Sequence, residues 1–364
     1  MAAPCPPAKP EPGAASYEQT DWRELPGWRD APLAPALRAF VSSCRRLQSA
    51  RWRAACNTAT GLSNADETAL RDFFETRFVP YRIVAADGSR DGLITGYYEP
   101  ILRGSRTASA IYRFPVYGVP QDLIVVELAG LHPELNNLRL RGRLEGSRLV
   151  PYYERAQIEA PARRFDAPVL GWVADPVELF FLQIQGSGQV QLESGERLRI
   201  GFADQNGHPF RSLGRYLVER GELALEQASM QSIKAWAAAN PQKLQQALNA
   251  NPSYVFFREL TLPPSDGPLG ALGVPLTTEY SLAVDRRFVP LGAPVYLATT
   301  WPLSSEPLER LMAAQDTGGA IRGVVRADFY WGTGVEAGAL AGRMRQQGKM
   351  WLLWPRDQPL PPPN

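Results

Sequence analysis

Two aspartates, Asp316 and Asp328, stand twelve residues apart, in Gln315-Asp316-Thr317-Gly318-Gly319-Ala320-Ile321-Arg322-Gly323 and Arg326-Ala327-Asp328-Phe329-Tyr330-Trp331-Gly332. An acid beside a glycine turn has a backbone free to bend and approach a ligand. An acid among aromatics is a candidate for a raised pKa, because a low dielectric disfavours its charged form. Both are properties of a working carboxylate.

The elements around them sharpen this. Residues 324–330 read as a strand, whose period of two sets Val324, Arg326, Asp328 and Tyr330 on one face and Val325, Ala327 and Phe329 on the other, core-facing one. Asp328 then looks into a half-polar space with aromatic neighbours, the profile of a general acid. The plainer alternative is a strand acid paired with Arg326. Asp316 ends a strand, and the backbone N–H groups of Thr317, Gly318 and Gly319 are placed to hold its carboxylate or a substrate oxygen. Its plainer alternative is an Asx turn. Asp285 precedes two arginines and reads as an ion-paired scaffold acid. The triplet Asp316-Thr317-Gly318 also spells the aspartic-protease motif, but that chemistry needs two aspartates sharing a proton, and the chain has one such triplet.

Composition excludes other chemistries. The 39 basic and 37 acidic residues are interspersed, giving a formal charge of +2, which argues against nucleic acid as partner. Nine Trp and thirteen Tyr suit sugar faces, or simply fill cores. With two His and no CxxC or Cys/His spacing, neither a metal nor a cofactor is expected. Cys44 and Cys56 flank a short segment and form a disulfide if the compartment is oxidising, or remain two buried thiols. Cys5 lies in a Pro/Ala/Gly tether, residues 1–18, too poor in hydrophobes to fold. No apolar leader precedes Cys5 in the sequence. Were one removed, a cysteine heading a flexible tether would be a lipidation site. No run reaches membrane-spanning length.

The 364-residue length makes two domains the default. Helices are expected over residues 34–48 and, opened by Ser63-Asn64-Ala65-Asp66, up to Pro80. Residues 81–84 and 92–100, around an Asp87-Gly88 turn, read as a hairpin carrying Tyr97 and Tyr98 to opposite faces. Residues 177–185 and 189–192 read as a second hairpin turning at Gly186-Ser187-Gly188, extended by 197–202 into a three-strand meander. Helices follow over 213–220, 230–239 and from Pro241. Beyond strand 254–257, short strands near 281–285, 288–292, 294–297, 311–314 and 324–330, a helix 335–347 and a last strand 350–354 suggest a small closed barrel.

Read together, Asp285 in Ala-Val-Asp-Arg-Arg-Phe-Val-Pro-Leu-Gly, Asp316 and Asp328 in the motifs above, Gly96-Tyr97-Tyr98-Glu99-Pro100, Asp175-Pro176-Val177-Glu178-Leu179-Phe180-Phe181, Ile184-Gln185-Gly186-Ser187-Gly188 and Asn251-Pro252-Ser253-Tyr254-Val255-Phe256-Phe257 resemble the membrane-bound lytic transglycosylase A (MltA) family with its C-terminal 3D domain. The resemblance covers roughly residues 22–355. It implies a mainly β, α+β protein: a double-psi β-barrel from residues 19–105 and 251–364, with the 3D region over about 270–355, and an inserted β domain over 106–250. Glycan strands of peptidoglycan would lie in a groove between the domains.

The same resemblance implies cleavage of the β-1,4 bond between N-acetylmuramic acid and N-acetylglucosamine without water, giving 1,6-anhydro ends. Asp328 takes the acid/base position, Asp316 the supporting acid, and Asp285 a shared position of unassigned role. The expected glycan-contacting set is Tyr97, Tyr98, Gln185, Gly186, Ser187, Gly188, Gly318, Gly319, Tyr330 and Trp331. A monomer is expected on the periplasmic face of a Gram-negative outer membrane, held through Cys5, with cell-wall synthesis or division proteins as partners. A two-carboxylate hydrolase and a non-catalytic glycan-binding barrel are the alternatives.

Overall fold

The computed structural model describes residues 15–128, 130–131, 140–160, 165–224, 229–263 and 265–361, so Cys5 lies outside the described residues. The chain divides into two compact units. The first comprises the residues up to Tyr97, Leu269–Gly332 and the residues from Arg343; the second comprises Tyr98–Pro268 and Thr333–Gly342. The domain limits expected from sequence therefore move. Segments 98–105 and 251–268 join the inserted unit because their strands are hydrogen-bonded into its sheet, as described below.

The first unit opens with β1 (Ser16–Gln19), followed by helices α1 (Ala34–Cys44), α2 (Ala50–Thr60) and α3 (Glu67–Arg77), then β2 (Phe78–Val84) and β3 (Gly92–Glu99). The tether thus ends sooner than expected, since Ser16 pairs with Val84 and the Tyr17 hydroxyl donates to the Phe288 carbonyl at 2.7 Å. Helix α3 is capped as its sequence dictates, Asp66 accepting the Ala69 N–H at 2.8 Å. Helix α1 stops at Cys44, short of residue 48. Helix α2 was not anticipated, although Trp52, Ala55, Cys56 and Ala59, all buried, have helical spacing. A Cys44–Cys56 disulfide joins α1 to α2. Phe40 packs against Trp52, Phe74 and Phe78, and Trp52 meets Trp354 edge-on, binding the helices to the sheet.

In the second unit come β4 (Ile101–Ser105), β5 (Phe114–Tyr117), β6 (Ile124–Val126), β7 (Leu140–Glu145), β8 (Arg148–Pro151), α4 (Arg155–Ile158), β9 (Val169–Val173), α5 (Pro176–Gln185), β10 (Ser187–Leu192) and β11 (Arg197–Gln205). Helices α6 (Leu213–Glu219), α7 (Met230–Ala239) and α8 (Pro241–Asn249) precede β12 (Val255–Glu259). A six-stranded sheet runs β12-β11-β10-β4-β9-β5, and a three-stranded one β6-β7-β8.

Residues 177–185 are therefore a helix and not the strand of a hairpin. Asp175 caps it by accepting the Val177 N–H at 2.7 Å, Pro176 fills its first turn, and Gly186 ends it in the left-handed region at φ +77°. The expected meander reduces to the β10–β11 hairpin turning at Ser194-Gly195, with β10 parallel to β4 on its other edge.

The remaining elements are β13 (Ser281–Val284), β14 (Pro294–Thr300), β15 (Pro307–Asp316), β16 (Ala327–Thr333), α9 (Val335–Ala341) and β17 (Arg345–Pro355). Residues 288–292 form a turn instead of a strand, with Phe288 N–H bonded back to the Asp285 carbonyl at 3.0 Å. Helix α9 is shorter and β17 longer than expected, because Arg345–Gly348 pairs with β3.

The first unit's sheet runs β1-β2-β17-β14-β15-β13-β16-β3, and β3 pairs with β17 as well as β16. Six strands, β17-β14-β15-β13-β16-β3, thereby close into a ring. The expected β2–β3 hairpin does not form. Instead β17 takes both strands end to end along one edge: Thr95 to Gly92 opposite Arg345 to Gly348, and Arg82 to Phe78 opposite Trp351 to Pro355. Pairing with this long, buried strand outweighs what the Asp87-Gly88 turn encodes locally.

Candidate active site

Strand β13 brings the two aspartates together. Its Ala283 is register partner to Asp328 on antiparallel β16 and to Asp316 on parallel β15. Partners across adjacent strands share a face, so Asp316, Ala283 and Asp328 form one row with the smallest side chain in the middle. The β13–β15 register slips here: Leu282 pairs with Ala314 and Ala283 with Asp316, leaving Gln315 as an extra residue.

Asp328 is half-buried, and the Thr95 hydroxyl of β3 donates to its Oδ1 at 2.5 Å. Burial raises its pKa, against the lowering effects of Thr95 and the Arg326 charge. Arg326 gives hydrogen bonds to the Leu93 and Ala327 carbonyls, at 3.4 and 2.5 Å. Its own pKa is lowered by burial, with Asp328 acting the other way.

Asp316 Oδ1 accepts two backbone N–H groups, from Ala271 and Thr317, each at 2.9 Å. Burial nevertheless pushes its carboxyl up from 3.8 to about 6; these N–H groups and the Tyr97 hydroxyl lower it, and Asp328 raises it further. Tyr97 is buried with Leu276, Ala283, Ile321 and Tyr330. Its hydroxyl faces Asp316 without closing a hydrogen bond of normal geometry, and burial first, then the nearby acids, holds it well above the usual tyrosine range. Asp328, Asp316, Thr95 and Tyr97 thus form one cluster, in which burial favours protonated carboxyls.

The other residues singled out from sequence separate into distinct settings. Asp285 is buried in a fork from Arg287, at 2.6 Å, and accepts the Gly323 N–H at 3.0 Å. Burial would raise its pKa, but these bonds outweigh it and hold the carboxyl below its usual range. Such an acid stays charged and ties the segment before β16 to the end of β13. A side chain at Gly319 would meet nothing within 4 Å, while one at Gly318 would lie against Ile321. Tyr330 is buried, its ring 5.2 Å from that of Tyr97. Trp331 is buried too, donating its indole N–H to the Met344 sulfur at 3.3 Å.

In the second unit, Tyr98 N–H donates to the Gln185 Oε1 at 3.1 Å and its hydroxyl contacts the Met230 sulfur at 3.3 Å. Its pKa is pushed up to about 12, by burial and then by Glu178. Gly338 of α9 lies under the Tyr98 ring, where an added Cβ would come within 2.8 Å. The stretch Gln185, Gly186, Ser187 and Gly188 is the joint from α5 into β10, and a Cβ at Gly188 would strike Leu182 at 2.4 Å. Glu99, next to Tyr98, is buried and receives Gln189 Nε2 and the Thr333 hydroxyl, both at 2.8 Å. The Thr333 hydroxyl therefore serves Glu99, and Gly334 stands at the N-terminus of α9.

Reasoning from sequence passed over Thr95, Ala283 and the side chain of Gln315. Thr95 had a signal, since it lies two residues before Tyr97 on one strand face. The register slip had none. Among the described residues, no group of three or more His, Cys, Asp and Glu is disposed to hold a metal ion.

Two family models match the chain: the MltA specific insert domain over residues 93–258 and the 3D domain over residues 280–354. The chain is 32% identical over 281 residues to membrane-bound lytic murein transglycosylase A of Escherichia coli (strain K12), covering 75% of this chain and 68% of that protein. The crystal structure of MltA from Neisseria gonorrhoeae superposes with a TM-score of 0.84 at 40% identity, covering 97% of this chain and 99% of that one. The structure of E. coli MltA with bound chitohexaose gives 0.70 at 25% identity, covering 94% of each.

Proposed function

Since the chain belongs to the membrane-bound lytic murein transglycosylase A family and is a peptidoglycan lytic transglycosylase, we propose that Asp328 is its single acid and base and that its products carry 1,6-anhydromuramic acid ends. The observation that carries this reading is the Asp328 carboxyl itself, inclined to the protonated form by burial, with Oδ1 bonded to Thr95. The protonated oxygen gives its proton to the glycosidic oxygen between N-acetylmuramic acid and N-acetylglucosamine. The C1–O bond breaks, the muramyl C6 hydroxyl oxygen bonds to C1, and the hydroxyl proton returns to Asp328. No water is consumed and the enzyme is restored.

Asp316 supports this role without acting as a nucleophile. It lies on the same sheet face as Asp328, two strands or about 10 Å of backbone away, whereas a glycosidase pair flanks the scissile bond from opposite sides. Its Oδ1 is occupied by two N–H groups. The two acids repel when both are charged, an effect felt at Asp316, whose carboxyl the Asp328 charge pushes further up.

The ligand is a glycan strand, supported by the relative solved with chitohexaose. Tyr97, Tyr98, the Gln185 to Gly188 joint, Gly318 and Gly319 are the residues we assign to it, with Tyr330 and Trp331 backing the site from the core. The six-strand ring is read as the double-psi β-barrel of the resemblance. The site of action is the periplasmic face of a Gram-negative outer membrane, with Cys5 as the lipid-bearing residue. The "membrane-bound" name of the relatives and a disulfide suited to an oxidising compartment support this.

Mass spectrometry of digested murein tests the chemistry. Anhydro ends from the parent and none from Asp328→Asn are expected. Reducing ends, or an active Asp328→Asn, would overturn it.

A further inference from the structure

The register slip at Asp316 has a built support. Were the β13–β15 ladder regular, Gln315 would stand opposite Ala283; the extra residue puts Asp316 there instead. The Gln315 side chain is fully buried and its amide is fully used. Nε2 donates to the Ala39 carbonyl at 2.8 Å and to Ser43 Oγ at 3.0 Å, both on α1, while Oε1 accepts the Ser281 hydroxyl of β13 at 2.5 Å. Its backbone carbonyl accepts the Leu272 N–H at 3.0 Å. That places the neighbouring Ala271 N–H on Asp316 Oδ1. The close approach of this loop requires Gly270, where a Cβ would lie 2.5 Å from the Gln315 oxygen.

We propose that Gln315 is a positioning residue of the transglycosylase, locking the extra residue of β15 so that Asp316 faces Asp328 across Ala283. A buried amide with donors and acceptor all satisfied by two other elements is rigid, and losing it would leave partners unpaired. Ser43 adjoins Cys44, so the disulfide steadies the same helix end. The proposal rests on the acid/base reading above, with Asp316 as its supporting group. The groups facing Asp316 are Tyr97 of β3 and Asp328 of β16.

A double-mutant cycle tests it. Gln315→Leu should lower kcat about ten- to hundredfold, the scale of a 1 Å misplacement, with KM on murein little changed and near-ultraviolet circular dichroism as in the parent. In an Asp316→Asn background the same substitution should cost almost nothing further, because its effect passes through Asp316. An equal loss in both backgrounds, no loss in the parent, or an Asp316→Asn enzyme as fast as the parent would overturn the proposal. If Gln315→Leu does not fold, Ser43→Ala, removing one acceptor, should show the same pattern at smaller amplitude, and additivity there would be equally fatal. Asp328→Asn is assayed alongside: an active Asp328→Asn defeats the acid/base reading, whatever the cycle gives.

Discussion

Asp316 and Asp328 share one register partner, Ala283, so the two carboxylates lie in a single row on the sheet with a methyl group between them. This makes the acids neighbours in field but not in contact. Each is buried enough to resist ionisation, and each has one oxygen fixed by a different donor set.

Replacing Asp328 by Asn keeps the volume and a hydrogen-bonding acceptor for Thr95 but removes the transferable proton. Turnover should fall by roughly 10⁴, the upper worth of a general acid–base group, below what murein digestion detects, while glycan binding measured by calorimetry and the melting temperature stay near the parent's.

Thr95→Val deletes the donor that lowers the Asp328 pKa. The carboxyl should then hold its proton to higher pH, moving the alkaline limb of the activity profile upward, and kcat should drop about tenfold, the scale of one hydrogen bond to a charged group. A profile unmoved after substitution would contradict this role.

Asp316 makes folding stability depend on pH in a defined direction. Its folded pKa of about 6 exceeds the ordinary 3.8, so the folded state binds the proton more tightly. The stability from this group is full below 3.8 and is lost as pH rises through about 6. The melting temperature of Asp316→Asn relative to the parent should therefore increase with pH across that window. About 1 kcal/mol corresponds to roughly 2–4 °C for a large domain.

Reducing the Cys44–Cys56 bridge frees a short loop, its cysteines 12 residues apart in sequence. Loop-closure entropy assigns it about 3 kcal/mol. Denaturant titration with and without reductant should show a loss of that order. Activity at low denaturant should fall as well, because the helix end that holds Gln315 loosens.

Much of this site was legible in the sequence because it depends on local pattern. Alternation set Asp328 and Tyr330 on one face of the strand that begins at Ala327, although Val324 and Val325, expected in that strand, lie in the turn before it; Asp66 and Asn240-Pro241 marked real helix starts. The misreadings came where a strong local cue met a stronger non-local partner. The apolar run 177–185 looked like strand, yet Asp175-Pro176 before it and Gly186 after it are helix punctuation that outweighs β-propensity. Strands β2 and β3 straddle a good turn sequence but answer to β17, more than two hundred residues away. The extra residue at Gln315 is fixed by Ala39, Ser43 and Ser281, and no window around Asp316 contains them.

The double hold of β17 on β2 and β3 also sets an order of assembly. Until β17 pairs, β2 and β3 lack the edge they share, β14 lacks one neighbour, and the ring carrying Thr95 beside Asp328 stays open. Pairings of such sequence separation form late, since loop closure must precede their reward. The contact of Thr95 with Asp328 therefore belongs to the part of the fold that closes only when its most distant pairings are made.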